Sequence, residues 1–211
     1  MIVQADTPLP IDHLGWFSGV DRVPSPDFGG EISPVYLVLH YTASGTAQGA
    51  IDWLTKGDGT PVSAHLVVGR DGAVTQLVSF TRRAYHAGRS GWKGRTSLNS
   101  CAIGVEMVNW GPLVRDAGGN LASHTGAPVD QADAVLLRHP HEEALRWWQT
   151  YPAAQVAAVT RLAGRLVQRY GLAEVLGHDD IAPGRKTDPG PAWDMESIRK
   201  KAFAVVAGAL E

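Results

Sequence analysis

The sequence predicts a single domain of mixed α/β class, on three observations. Residues 35–40 (V-Y-L-V-L-H) and 102–108 (A-I-G-V-E-M-V) are nearly unbroken apolar runs rich in β-formers. Strands buried on both faces look like this. Residues 152–170 and 195–210 instead carry apolar side chains at spacings of three and four, the signature of amphipathic helices. A chain of 211 residues with 44% hydrophobic and 19% charged residues has the size and balance to bury one such core.

Residues 1–34 are rich in Pro, Gly and Asp and read as an extended N-terminal arm. The first buried strand ends at His40, where open α/β sheets place functional groups. A lone histidine there is also read as a hydrogen-bonded core residue. Residues 47–55 form a helix, with apolar positions at 47, 50, 51 and 54 and Trp53 on or beside that face. Residues 63–69 and 74–78 are strands joined by a hairpin turn whose signal is Asp71-Gly72. A Gly-rich loop follows residues 83–88.

The strand at 102–108 holds one carboxylate, Glu106, in its middle. That is costly unless it is paired, protonated or beside a metal. The other reading is an edge-strand glutamate facing water. Residues 109–150 break the pattern and read as a long insertion at the rim of a cleft. His139 and His141 within it are taken as surface histidines. Trp147-Trp148 lead into the next helix as a strand or turn, and either stack on a ligand or anchor the insertion. That helix has Pro152 in its first turn and Gly171 as its cap. Val175-Leu176 form a brief strand delivering His178. In the last helix, Ile198, Ala202, Val205 and Val206 face inward.

Between the two helices, residues 177–194 read G-H-D-D-I-A-P-G-R-K-T-D-P-G-P-A-W-D. Three prolines make this mostly loop, and a stiff polar loop holds ligands in fixed geometry. His178 and Asp188 are nitrogen and oxygen ligands of the kind zinc takes. His40, also at a strand end, supplies the third. Two histidines and one carboxylate leave a zinc position open, where water is acidified towards ~7 and a carbonyl is polarised. Non-haem iron takes the same ligand types. A structural zinc usually adds sulfur, and the only cysteine is Cys101. Amide hydrolysis at such a site needs a base and a cation for the oxyanion. Glu106 suits the first role. Lys186 suits the second, since it lies two residues before Asp188 and in an extended loop shares its side.

The net charge of −2 gives no basic footprint for nucleic acid. No apolar run approaches the ~20 residues of a membrane helix. The N-terminus does not read as a secretory signal, so the protein acts in the cytoplasm, leaves by another route, or has had a signal removed. A monomer is the expected state.

These residues resemble the type 2 N-acetylmuramoyl-L-alanine amidases, zinc amidases related to peptidoglycan recognition proteins. The segments that carry the likeness are V-L-H-Y-T (38–42), V-S-A-H (62–65), R-D-G (70–72), A-Y-H-A-G (84–88), I-G-V-E (103–106) and G-H-D-D-I-A-P-G-R-K-T-D-P-G-P (177–191). They run in family order over about 35–200, apart from 109–150. The last is the most specific and is most similar to the branch that cleaves anhydro-muropeptides. The resemblance implies a single domain, an N-terminal arm apart, with a central mixed sheet flanked by helices and a cleft above one face. It implies one zinc ion held by His40, His178 and Asp188, Glu106 as catalytic glutamate, and Lys186 stabilising the transition state. His86 and His65 match recurrent family histidines near the cleft, and Arg89 and Trp92 are further candidate substrate contacts. Some relatives carry a catalytic tyrosine where this chain has Ala64. The implied substrate is peptidoglycan or a muropeptide, cut between N-acetylmuramic acid and L-alanine. A non-catalytic peptidoglycan-binding module and a zinc hydrolase of another amide are the alternatives.

Overall fold

A computed structural model describes residues 9–207. Its elements run β1 (Asp21–Arg22), β2 (Tyr36–Tyr41), α1 (Ala47–Leu54), β3 (Leu66–Val68), β4 (Val74–Gln76), β5 (Gly91–Trp92), β6 (Arg95–Thr96), β7 (Ala102–Met107), β8 (Pro112–Arg115), β9 (Leu121–Ala122), β10 (Ala134–Arg138), β11 (Leu145–Gln149), α2 (Ala153–Tyr170), β12 (Glu174–Gly177), α3 (His178–Ile181) and α4 (Met195–Ala207). The central sheet has the order β1-β4-β3-β7-β2-β12. It is mixed, because β3 and β4 pair antiparallel while β7, β2 and β12 run parallel. This is the mixed sheet flanked by helices that the sequence implied.

Side chains alternate across the sheet. Leu37 and Leu39 of β2, with Ile103, Val105 and Met107 of β7, lie in one apolar cluster with Val159, Leu162, Leu166 and Val167 of α2 and Ile198 and Ala202 of α4. Burying each large side chain there contributes about 1.5–3 kcal/mol. That decides how α2 is held, since its N-cap Pro152 offers no side-chain cap. Tertiary packing, more than capping, stabilises this helix. The opposite sheet face carries Tyr36, Val38, Ala102 and Leu176 in one cluster. A second cluster on the chain packs Ala50, Ile51 and Leu54 of α1 against Ala64, Val67 and Val108. His40, Gly104 and Glu106 follow the alternation of this second face.

The segment expected as an extended arm packs closely from residue 9 onward. Leu9 and Phe17 are buried in the core, and β1 adds a parallel edge strand to β4. The first eight residues of that arm lie outside the described residues. So do the expected end of the last helix at Leu210 and the side chains of Val205 and Val206.

Residues 109–150 form a second sheet, ordered β10-β11-β8-β9. Its Trp148 is buried and anchors the sheet against the body of the protein. His139 is also buried, which corrects the surface placement expected for it; His141 is exposed. The run 177–194 is not loop throughout. It opens with the short helix α3, whose start is fixed by the Asp180 carboxylate accepting from the Gly177 N–H at 2.7 Å.

Candidate metal centre and active site

Strand register assembles the site. His40 of β2 is the direct cross-strand partner of Glu106 of β7, and Leu39 is the partner of Gly177 of β12. His178 follows Gly177, so three adjacent strand ends bring Glu106, His40 and His178 side by side. The loop after α3 returns Asp188 to the same point, its carbonyl accepting from the Asp179 N–H at 2.9 Å.

The three expected ligands converge. His40 Nδ1 lies 2.9 Å from His178 Nδ1 and 2.9 Å from Asp188 Oδ2, and His178 Nδ1 lies 2.8 Å from Asp188 Oδ2. All three residues are buried. Their second ring nitrogens fix the tautomers. His178 Nε2 is 3.1 Å from the Ala87 carbonyl, which only accepts, so Nε2 carries the proton and Nδ1 is bare. His86 Nε2 faces the Ala102 carbonyl at 3.4 Å, which leaves His86 Nδ1 to accept from His40 Nε2 at 3.0 Å. His40 Nδ1 is then bare as well. Two imidazole lone pairs and a carboxylate oxygen thus meet at one point, an arrangement suited to a cation.

The protonation states agree with this. Burial, and then the charge of His178, push His40 down to about 4 against the opposing Asp188 hydrogen bond, so it is neutral near pH 7. Burial alone would raise Asp188; the His178 and His40 rings packed against it outweigh that and hold the carboxyl below the usual range. Neutral imidazole and ionised carboxylate are the forms that bind zinc. The donor set is one that would suit a zinc ion.

The ligands form part of the lining of a cleft of about 760 Å³. Glu106 and Lys186 line it too. Burial, and then the Asp188 carboxylate, raise Glu106 well above its ordinary value, while Lys186 opposes the rise. The cleft therefore holds a carboxyl that exchanges a proton more readily near neutrality than an exposed glutamate would.

The remaining candidates divide. His86 lines the cleft and also holds the far nitrogen of His40. Gly104 makes room for it, since a Cβ there would run into the His86 ring. His65 is fully buried and lies outside the cleft. Its Nδ1 accepts from the Gly104 N–H at 3.0 Å, and its Nε2 donates to the Arg82 carbonyl at 2.9 Å. Arg89 borders a separate hollow of about 220 Å³ and offers its carbonyl to Arg185. Trp92 donates its indole N–H to Glu174 at 3.0 Å, away from the cleft. Sequence reasoning did not single out Tyr41, Arg185 and Thr187, which line the cleft. Their adjacency to His40, Lys186 and Asp188 was the signal available. The hydroxyls of Tyr41 and Thr187 lie 2.8 Å apart and close one wall, and burial pushes Tyr41 up to about 12.

A central mixed sheet whose strand ends bring two histidines and a carboxylate together beside the half-buried Glu106 fits a hydrolase that could hold a metal ion. Residues 31–191 match the N-acetylmuramoyl-L-alanine amidase family, and the chain belongs to it. It is 33% identical to the 1,6-anhydro-N-acetylmuramyl-L-alanine amidase AmpD of Escherichia coli, over 88% of this chain and 93% of that protein. The fold is similar to a crystal structure of an AmpD derivative with a TM-score of 0.66, at 27% identity over 92% of this chain and 99% of that one. It is also similar to the amidase AmiD of E. coli in complex with the substrate anhydro-N-acetylmuramic acid-L-Ala-D-γ-Glu-L-Lys. There the TM-score is 0.61, at 26% identity over 90% of this chain and 65% of the other.

Proposed function

We propose that this amidase is zinc-dependent and hydrolyses the amide between N-acetylmuramic acid and L-alanine, with soluble 1,6-anhydro-muropeptides as its substrates. The observation that carries the reading is the convergence of His40, His178 and Asp188 one strand away from Glu106. The AmpD and AmiD relatives support the substrate class.

His40, His178 and Asp188 hold the ion, which when bound supplies Lewis acidity that acidifies water and polarises a carbonyl. Glu106 takes a proton from the attacking water as its oxygen bonds to the lactyl carbonyl carbon. Lys186 offset the charge that develops on the carbonyl oxygen. As the C–N bond breaks, Glu106 passes its proton to the leaving nitrogen. The products are a muramic acid carboxylate and a peptide with a free N-terminal L-alanine. His86 keeps His40 in the tautomer that presents Nδ1.

The test is mass spectrometry of products from zinc-loaded and metal-free protein, on soluble anhydro-muropeptide and on intact sacculi. A peptide beginning with free L-alanine, released faster from the soluble substrate and only with zinc, is expected. Equal turnover without zinc would overturn the metal reading, and faster release from sacculi would overturn the substrate assignment.

A further inference from the structure

His139, in the turn between β10 and β11, bonds to the segment that carries His178 and Asp188. It is fully buried and stacks on Trp148, with ring centroids 5.8 Å apart and planes 28° from parallel. Its Nδ1 accepts from the His141 N–H at 3.2 Å, so Nε2 carries the proton and donates to Asp179 Oδ2 at 3.0 Å. Asp179 is a junction. It directly follows the ligand His178, and its own N–H donates to the carbonyl of the ligand Asp188. Its second oxygen accepts from the Asp180 N–H at 3.0 Å.

Trp148 grips the same loop two residues beyond Asp188. A Cβ at Gly190 would lie 2.8 Å from its ring, and Gly190 has φ +78°, so glycine alone suits both the contact and the backbone. Tyr151, just after the second sheet, donates to the Pro189 carbonyl at 2.8 Å. The side chain of His139 does not border the cleft.

We propose that His139 is a positioning residue for the metal: through Asp179 it fixes the spacing of His178 and Asp188, and with Trp148 it makes the second sheet a brace for the ligand loop. This rests on the zinc reading above. Groups hydrogen-bonded to metal ligands commonly set affinity by 10–100-fold; Asp179 bonds Asp188 through the main chain, and His139 acts one step further out, through Asp179. The brace gives the 109–150 segment a task at the metal rather than at the substrate.

The experiment measures zinc affinity by competition with a chromophoric chelator for wild type, His139→Phe and His139→Gln, together with the melting temperature of each metal-free protein. Glutamine can reach Asp179 with an amide N–H; phenylalanine fills the space and donates nothing. The expected result is ~10–100-fold weaker zinc binding in His139→Phe, restoration to within a few-fold in His139→Gln, and an unchanged KM at saturating zinc. A merely structural role would lower both melting temperatures and leave zinc affinity alone. Wild-type affinity in a folded His139→Phe would overturn the inference. If that variant fails to fold, Asp179→Ala removes the same bond from the α3 side, where the carboxylate is partly exposed, and is judged by the same thresholds. A wild-type protein that binds no zinc would instead overturn the zinc reading itself.

Discussion

Glu106 sits near the end of the central strand β7, where an ionised carboxylate has few partners. Among the described residues no hydrogen bond ties its side chain down, and its burial raises it well above the ordinary carboxylate range. A fold tolerates such a group at a cost of stability, which is reasonable where the proton is used. Its cross-strand pairing with His40 sets it one strand spacing from the proposed metal ligands. Replacing it tests the role cleanly, because glutamine keeps shape and loses the base. Glu106→Gln is expected to lower kcat by ~10²–10⁴-fold while zinc content by metal analysis stays at one ion. Activity near wild type would remove Glu106 from the chemistry. This residue was legible in the sequence because a lone acid in an apolar β-run has few benign readings. His139 was not. Its burial depends on Trp148 and Asp179, which are 9 and 40 positions away, and no local pattern reports such contacts.

The elements divide along the same line. β2, β7 and α2 were legible because their burial is nearly continuous or strictly periodic. β8, β10 and β11 expose much of their length, so their pattern is weak, and only the ladder β10-β11-β8-β9 makes the four strands of 109–150 a unit. His65, just before β3, illustrates a second limit. Its motif placed it near the site, but its side chain turns under the sheet face and joins Gly104 to Arg82 instead. Burial pushes it down to about 4, against the Arg82 hydrogen bond that opposes this. The unfolded chain titrates near the ordinary histidine value of 6.5 and so binds more protons between these two limits. Stability contributed by neutral His65 is therefore present above 6.5 and lost as pH falls towards 4. The share of this one group is on the order of 3 kcal/mol by pH 4. Urea unfolding of the metal-free protein across that range should show a steeper decline in wild type than in His65→Gln, which begins less stable at pH 7. Parallel pH profiles would show that His65 does not carry the titration.

For the whole molecule, the question is whether the metal holds the fold or the fold holds the metal. The ligands come from β2, α3 and the loop beyond it, so an ion ties together parts of the chain far apart in sequence. The apolar clusters on both sheet faces, however, contain none of the ligands and are complete without them. The arrangement fits the proposed metal site resting on a self-sufficient core, unlike small domains whose folding depends on zinc. Metal-free protein should then keep its far-ultraviolet circular dichroism and melt cooperatively. Zinc should stabilise it by mass action, by about 2.7 kcal/mol at a free concentration 100 times Kd. For a chain of this size that raises Tm by about 5–10 °C. Asp188→Ala should abolish the increment, because it removes the one ionised ligand and leaves two neutral imidazoles. Calorimetry over a zinc titration distinguishes the outcomes. Collapse of secondary structure on chelation would make the ion structural, and a Tm indifferent to zinc in wild type would remove it from the site.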